Sequence, residues 1–200
     1  MDGQPLDVVT SFDPARLGDW LQTFTGKKFY PLDPRPEDIN LDDIAHALSN
    51  ICRYGGHAST FYSVAQHSCL LADHFAGNNI LAAKALLHDA AEAYLGDIVR
   101  PLKYSKGVRE LFLPAFDKLE RMIFEKYGLS PELPEKIKQA DSLIIWNEAQ
   151  DLMDTNLNSD AWTQWQPGLP GVRVSSWGPI LAKREFLTRA HNLLGGQADY

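Results

Sequence analysis

Cysteine, long apolar runs and surplus positive charge are all scarce in this chain, and each shortage removes a class of protein. Only Cys52 and Cys69 occur among 200 residues. Both residues fall in helical patterns, which fits buried reduced thiols better than a disulfide framework, with a single bridge as the alternative. No stretch approaches the length of a membrane span, and the N-terminus shows no basic region followed by an apolar one. A cytoplasmic protein with no membrane partner is therefore expected. Nineteen Lys and Arg face 26 Asp and Glu, a formal charge of −7. A binder of nucleic-acid polymers needs a basic face to release counterions, and this balance argues against one. A small anionic substrate is compatible if a local Arg and Lys cluster works against the overall field. Internal repeats, low-complexity tracts and alternating strand patterns are also missing outside one N-terminal arm.

What is present reads as one mainly α-helical domain, since 44% apolar residues in 200 suffice for a sizeable core. Residues 1–24 form an N-terminal extension packed on a domain that spans 25–200, with a short helix around Leu17, Trp20 and Leu21. Phe24 to Tyr30 reads as a small hairpin or extended arm, ended by Pro31, Pro34 and Pro36. Asn40 is a good N-cap for a helix from Leu41 to about Cys52. Ser63 with Gln66 makes a capping box for a helix from Val64 to Phe75. A helix from about Asn79 to Ala93 follows, then a loop bracketed by Gly96 and Pro101. An amphipathic segment from Val108 to Tyr127 is expected to break near Pro114. Helices over about 134–153 and from Pro179 to about Leu194 complete the chain. The irregular 155–177 carries Trp162, Trp165 and Trp177, expected to cover core surface.

The chemistry centres on His88 and Asp89, adjacent in the oily run from Ile80 to Ala91. An ionised carboxylate buried without a partner costs several kcal/mol or more, and a divalent metal compensates the pair by satisfying imidazole and carboxylate together. Helical spacing sets Glu92 on the face of His88 and Asp89. Asp141 lies on the apolar stripe of Ile137, Ala140, Ile144 and Ile145, a second buried acid. His67, in the first turn after Ser63, can supply a second imidazole. Two nitrogens and two carboxylates suit a first-row divalent ion with open positions better than a thiolate-rich structural zinc site.

These residues carry a resemblance. Tyr62 to Ser68, Leu87 to Asp97 and Ile137 to Asp141 resemble, in order and spacing, the HD-domain metal-dependent phosphohydrolases. Within them the chain is similar to the branch of bacterial 5'-deoxynucleotidases and phage dATP triphosphohydrolases, over roughly residues 25–190. The resemblance implies an all-α HD-domain bundle whose metal ligands are His67, His88, Asp89 and Asp141. It implies that Glu92 acts as the acid/base carboxylate and that Asp97 helps to place the attacking water. Arg53 matches the arginine that holds substrate phosphate, and Pro101 and Lys103 match the loop bordering the nucleotide. The implied reaction is attack of metal-bound hydroxide on phosphorus of a small nucleotide, above all a deoxynucleotide, either a dNMP or a dNTP. The implied cofactor is one divalent transition metal (Mn, Co, Ni, Fe or Zn), with Mg compatible, and a homo-oligomer is plausible.

Read on their own chemistry, Arg53 can grip two phosphate oxygens, and Lys103 adds a point charge beside Arg100, Lys106 and Arg109. Tyr54 can stack on a base. Gly55 and Gly56 after it remove side chains that the adenine-selective enzymes carry, and His57 lies close enough in sequence to Arg53 to reach the phosphate. Two other readings stand beside the hydrolase. One is a catalytically inactive, metal-stabilised helical module that binds or regulates. The other is a two-iron oxygen-activating site, disfavoured because no histidine lies between His88 and Asp141.

Overall fold

The computed structural model describes residues 13–195 apart from 155, 157 and 158. The first twelve residues of the expected extension lie outside the described residues. Helix dominates, as the patterns require, and the described strands are a two-residue pair, β1 (Leu21–Gln22) and β2 (Lys28–Phe29), in antiparallel register with Leu21 opposite Phe29. The boundary at residue 24 falls in the turn of this hairpin. Thr25 pins that turn to the first helix by donating its N–H and hydroxyl to Asp43, at 2.7 and 2.8 Å. The helix expected around Leu17 does not form: Gly18 takes φ 81 and the chain enters β1 instead.

The first helix, α1 (Leu41–Asn50), starts where expected, with the Asn40 side chain accepting from the N–H groups of Asp42 and Asp43. Next comes α2 (Val64–His74), capped by Ser63. Only half of its capping box is made, because the Gln66 side chain turns to the Ser175 carbonyl and the Trp177 N–H. This ties the late loop to α2 rather than closing the helix end on itself.

Helix α3 (Asn79–Leu87) buries Ala82, Ala83, Ala85, Leu86 and Leu87 and packs on α2. It stops six residues earlier than the pattern predicts. Bonds from Ala90 N–H to Leu87 and from Glu92 N–H to Asp89 tighten the chain, and His88 Nδ1 contacts the Ala85 carbonyl at 2.7 Å. A side chain competing for a helix carbonyl is a local reason for the helix to end there. Two short helices follow, α4 (Glu92–Leu95) and α5 (Arg100–Lys103). Helix α6 (Val108–Lys126) runs unbroken through Pro114, correcting the expected interruption. Its later turns bury Phe116, Leu119, Ile123 and Phe124, and full burial of such a side chain is worth about 1.5–3 kcal/mol, enough to offset one lost backbone bond.

Helix α7 (Glu135–Leu152) and the short α8 (Ser159–Trp162) precede α9 (Pro179–Leu194), whose Ala182, Phe186, Ala190 and Leu194 form one buried stripe at four-residue spacing. Helices α1, α2 and α3 all pack on α9, while α7 packs on α2 and α3. The main apolar cluster joins α1, α2, α3, α6 and α9. A separate cluster seats α7 through Ile137, Ala140 and Ile144 against Leu71, Ala85 and Leu169. Among the described residues no helix is long and apolar enough to cross a membrane. Cys52 and Cys69 are free, and burial pushes the Cys69 thiol up to about 12.

Candidate metal centre and active site

Three helices converge where α3 unwinds. His67 comes from the first turn of α2, His88 and Asp89 from the end of α3, and Asp141 from the second turn of α7. His67 Nε2 lies 3.4 Å from His88 Nε2 and 3.1 Å from Asp141 Oδ1, and His88 Nε2 lies 3.1 Å from Asp89 Oδ2. Asp89 Oδ2 is 3.7 Å from His67 Nε2, and Asp141 Oδ1 is 3.8 Å from His88 Nε2. Ligand bonds of about 2.0–2.2 Å place neighbouring donor atoms roughly 3.0–3.5 Å apart around one ion. The group His67, His88 and Asp89 could hold a metal ion. Asp141 stands beside it, with its side chain 31% exposed rather than sealed in the apolar stripe.

The histidines are oriented for this. His88 Nδ1 is tied to the Ala85 carbonyl, and His67 Nδ1 lies 2.6 Å from Glu148 Oε1. With each Nδ1–H donating outward, both Nε2 lone pairs face the centre. Burial disfavours charge on either ring, yet Glu148 beside His67 and Asp89 beside His88 push both imidazoles up in the metal-free protein. Asp141, despite the cost of burial, is held well below the usual carboxylate range by the two histidines.

Glu148 was not among the residues that the sequence pattern singles out. It is fully buried and accepts from the Tyr54 and Tyr62 hydroxyls, the latter at 2.8 Å, while Arg53 Nη2 stands 3.4 Å away. Burial opposes its charge, but Arg53 and His67 hold its carboxyl down at about 2. Its signal is legible in hindsight: Glu148 lies seven residues after Asp141, on the same helical face, among Ile144, Ile145 and Leu152.

Arg53 does not cap α1. Its Nη1 sits 3.5 Å from Asp89 Oδ2, and its buried Nε has no hydrogen-bond partner. The turn that carries it is fixed by the Arg53 N–H bond to the Tyr62 carbonyl and by Tyr54 at φ 58, a left-handed conformation rare for a bulky residue. Gly55 follows at φ 60, and a Cβ there would come within 3.4 Å of Val99. The glycine turn is thus where the Arg53 segment closes on residues 97–99.

A cleft of about 410 Å³ opens over these groups. Arg53, Tyr54, His57, Asp89, Glu92, Asp97, Pro101, Lys103 and Asp141 all border it, so every candidate outside the two buried imidazoles reaches one space. Arg100 borders it too, whereas Lys106 and Arg109 of the basic stretch do not. Glu92 is 3% exposed; Lys103 Nζ meets its Oε1 at 3.3 Å, and its Oε2 has no partner. Burial, then the charges of Asp89 and Asp97, push the Glu92 carboxyl well above the usual carboxylate range, favouring its protonated form. Asp97 is raised mainly by its own burial.

Two of the three tryptophans correct the expectation for 155–177. Trp177 packs on the main core, but Trp162 and Trp165 border the cleft. A second cleft of about 470 Å³ shares Asp89, Lys103 and Asp141 with the first and contains Glu120 of α6, another residue that the sequence pattern does not single out. Burial pushes the Glu120 carboxyl up to about 7.

No family model matches the chain. The uncharacterized protein YfdR of Escherichia coli K12 is 42% identical over 165 residues, which cover 80% of this chain and 86% of its own length. The chain belongs to the YfdR family. An uncharacterized protein of Rhodobacter capsulatus is 37% identical over 128 residues, covering 60% of this YfdR-family chain and 64% of the relative. Neither name carries an activity, so the reading of the YfdR-family site rests on its geometry.

Proposed function

We propose that this protein is a metal-dependent phosphohydrolase of the HD-domain type, acting on small nucleotides and above all deoxynucleotides. The observation that carries it is one cleft that opens over a His, His and Asp donor group and is lined by its Asp89, by an arginine with a spare buried donor and by a buried, partner-poor glutamate. His67, His88, Asp89 and Asp141 hold one divalent transition ion. When bound, such an ion makes a water nucleophile available near neutral pH and offsets charge on a phosphoryl oxygen.

The chain's own residues supply the rest. Arg53 presents donors to the phosphate oxygens, with Lys103 adding positive charge at the rim. Glu92, whose carboxyl is raised by burial, handles the proton of the attacking water or the leaving oxygen, and Asp97 beside it helps to position that water. Glu148 keeps His67 in the tautomer whose Nε2 faces the ion.

The test is release of phosphate or polyphosphate from a panel of dNMPs, dNTPs and ribonucleotides, with Mn, Co, Ni, Mg and Zn supplied in turn. Turnover with at least one transition metal is expected. Glu92→Gln should retain fold and metal while losing roughly 10²–10⁴-fold in kcat. The released species shows which phosphorus is attacked. Silence across the whole panel from metal-loaded protein overturns the proposal and favours a binding module, and full turnover in Glu92→Gln removes that residue from its role.

A further inference from the structure

Trp162 and Trp165 need a reason to stand at the cleft. The space runs along α7, from Asp141 near its start through Ile145 to Met153 at its C-cap, roughly three helical turns. Charge gathers at the Asp141 end, where Arg53, Asp89 and Glu92 contribute. The same space is also bordered by aromatics: Trp162 and Trp165 stand with ring centroids 5.6 Å apart, tilted by 51°, and both residues are only half-buried. Half-covered indoles beside a charged floor leave a large apolar surface wet, which a flat ligand would cover.

The segment is also held in place. The short helical turn Thr163–Trp165 packs on α7. The Asn147 side chain donates to the carbonyls of Leu169 and Val172, each at 3.0 Å, and accepts from the Leu169 N–H at 2.7 Å. Asp151 accepts from the Val174 N–H at 2.7 Å. A Cβ at Gly168 would lie 2.7 Å from Asn147 Oδ1, so glycine there permits the clamp. The connection after the tryptophans is therefore fastened to the helix that presents Asp141.

We infer that Trp162 and Trp165 form a stacking wall for the base of the nucleotide whose phosphate lies at Arg53 and the metal ligands, which makes them specificity-determining residues. The inference rests on the proposed hydrolase reading for the position of the phosphate. Stacking is tolerant of base identity because every base offers a π face, so the wall selects nucleotides over aliphatic phosphoesters rather than one base over another.

The test compares metal-loaded wild type with Trp162→Ala, Trp165→Ala and the corresponding Phe variants. The substrates are dAMP, dCMP and, as an ester without a ring, glycerol phosphate; calorimetric binding of dAMP is measured in parallel. Each alanine variant should lower the ratio of kcat/KM for dAMP over glycerol phosphate roughly ten-fold, chiefly through KM, with phenylalanine restoring most of it. A ratio unchanged in the double alanine variant overturns the wall while leaving the hydrolase intact. A protein that hydrolyses none of the esters, yet binds dAMP more weakly in the alanine variants, keeps the wall and ends the hydrolase. Failure of wild type to bind or turn over any nucleotide removes both.

Discussion

Two arginines of this molecule are similarly buried and do different things. Arg16, 8% exposed, is held by short contacts: its Nη2 donates to the Asp33 carbonyl and to Asp38 Oδ2 at 2.7 and 2.6 Å, its Nε rests 2.9 Å from Asp33 Oδ2 without forming a hydrogen bond, and its guanidinium lies over the Tyr30 ring. Arg53, 14% exposed, has only long ionic contacts, 3.5 Å to Asp89 and 3.4 Å to Glu148, and like Arg16 a buried Nε without a hydrogen bond. Burial opposes the charge of both, and in both the neighbouring carboxylates outweigh it. The difference lies in the length of the contacts. A guanidinium with short contacts fastens the N-terminal extension to the domain, whereas one with slack contacts beside an open cleft can still take an anion.

Lysine substitutions sharpen this contrast, because they keep the charge and remove the fork. Arg53→Lys should lower kcat/KM on the best nucleotide by about 10²-fold, the order lost when a donor to a developing oxyanion is removed, with little change in Tm. Retained turnover in that variant breaks the comparison. Next in size is Glu148→Gln, which keeps the shape but weakens the tether on His67. Metal affinity measured by calorimetry should fall about 10–100-fold, the usual cost of losing such an outer hydrogen bond.

Protons and metal compete for the same nitrogens, which gives an opposite sign for the two forms. Because His67 and His88 are raised in the metal-free protein, their contribution to its stability is full below the ordinary histidine value of about 6.5 and is lost as pH rises through the raised values. Metal binding needs both rings neutral, so the metal-loaded form gains over the same range. The Tm gap between metal-loaded and chelated protein should therefore widen on going from pH 6 to pH 8. A gap that narrows contradicts the assignment of both imidazoles. The smallest effect is expected for Arg16→Lys, a loss of about 1 kcal/mol in thermal unfolding with unchanged turnover. A loss of turnover there would erase the distinction between the two arginines.

Much of this was readable from sequence where local chemistry decides. Asn40 and Ser63 cap the helices that their patterns predict, and His67, His88 and Asp89, which the family resemblance groups together, do meet. Local rules failed where tertiary packing outvotes them. Pro114 does not break α6 because the core holds the later turns, and Gln66 abandons its capping box for the late loop. Leu17 and Trp20 lose their helix to a hairpin. Glu148 and Glu120 are not singled out by the pattern, and Trp162 and Trp165 read as core cover, because their place depends on what faces them from distant parts of the chain, and periodicity carries no such information.

The donor atoms come from helices seated by two apolar clusters. His67, His88 and Asp89 are anchored in helices of the large apolar cluster, while Asp141 rides on α7, which a smaller cluster seats against Leu71 of α2 and Ala85 of α3. An ion gripped by both acts as a rivet between them, so metal loading should quench local opening of α7 more than it protects α1 or α9, a pattern readable in amide exchange. The same helix bears Asn147 and Asp151, which clasp the connection behind the two indoles. Seating the cation would thus also stiffen the far end of the groove, coupling its two halves through one rod.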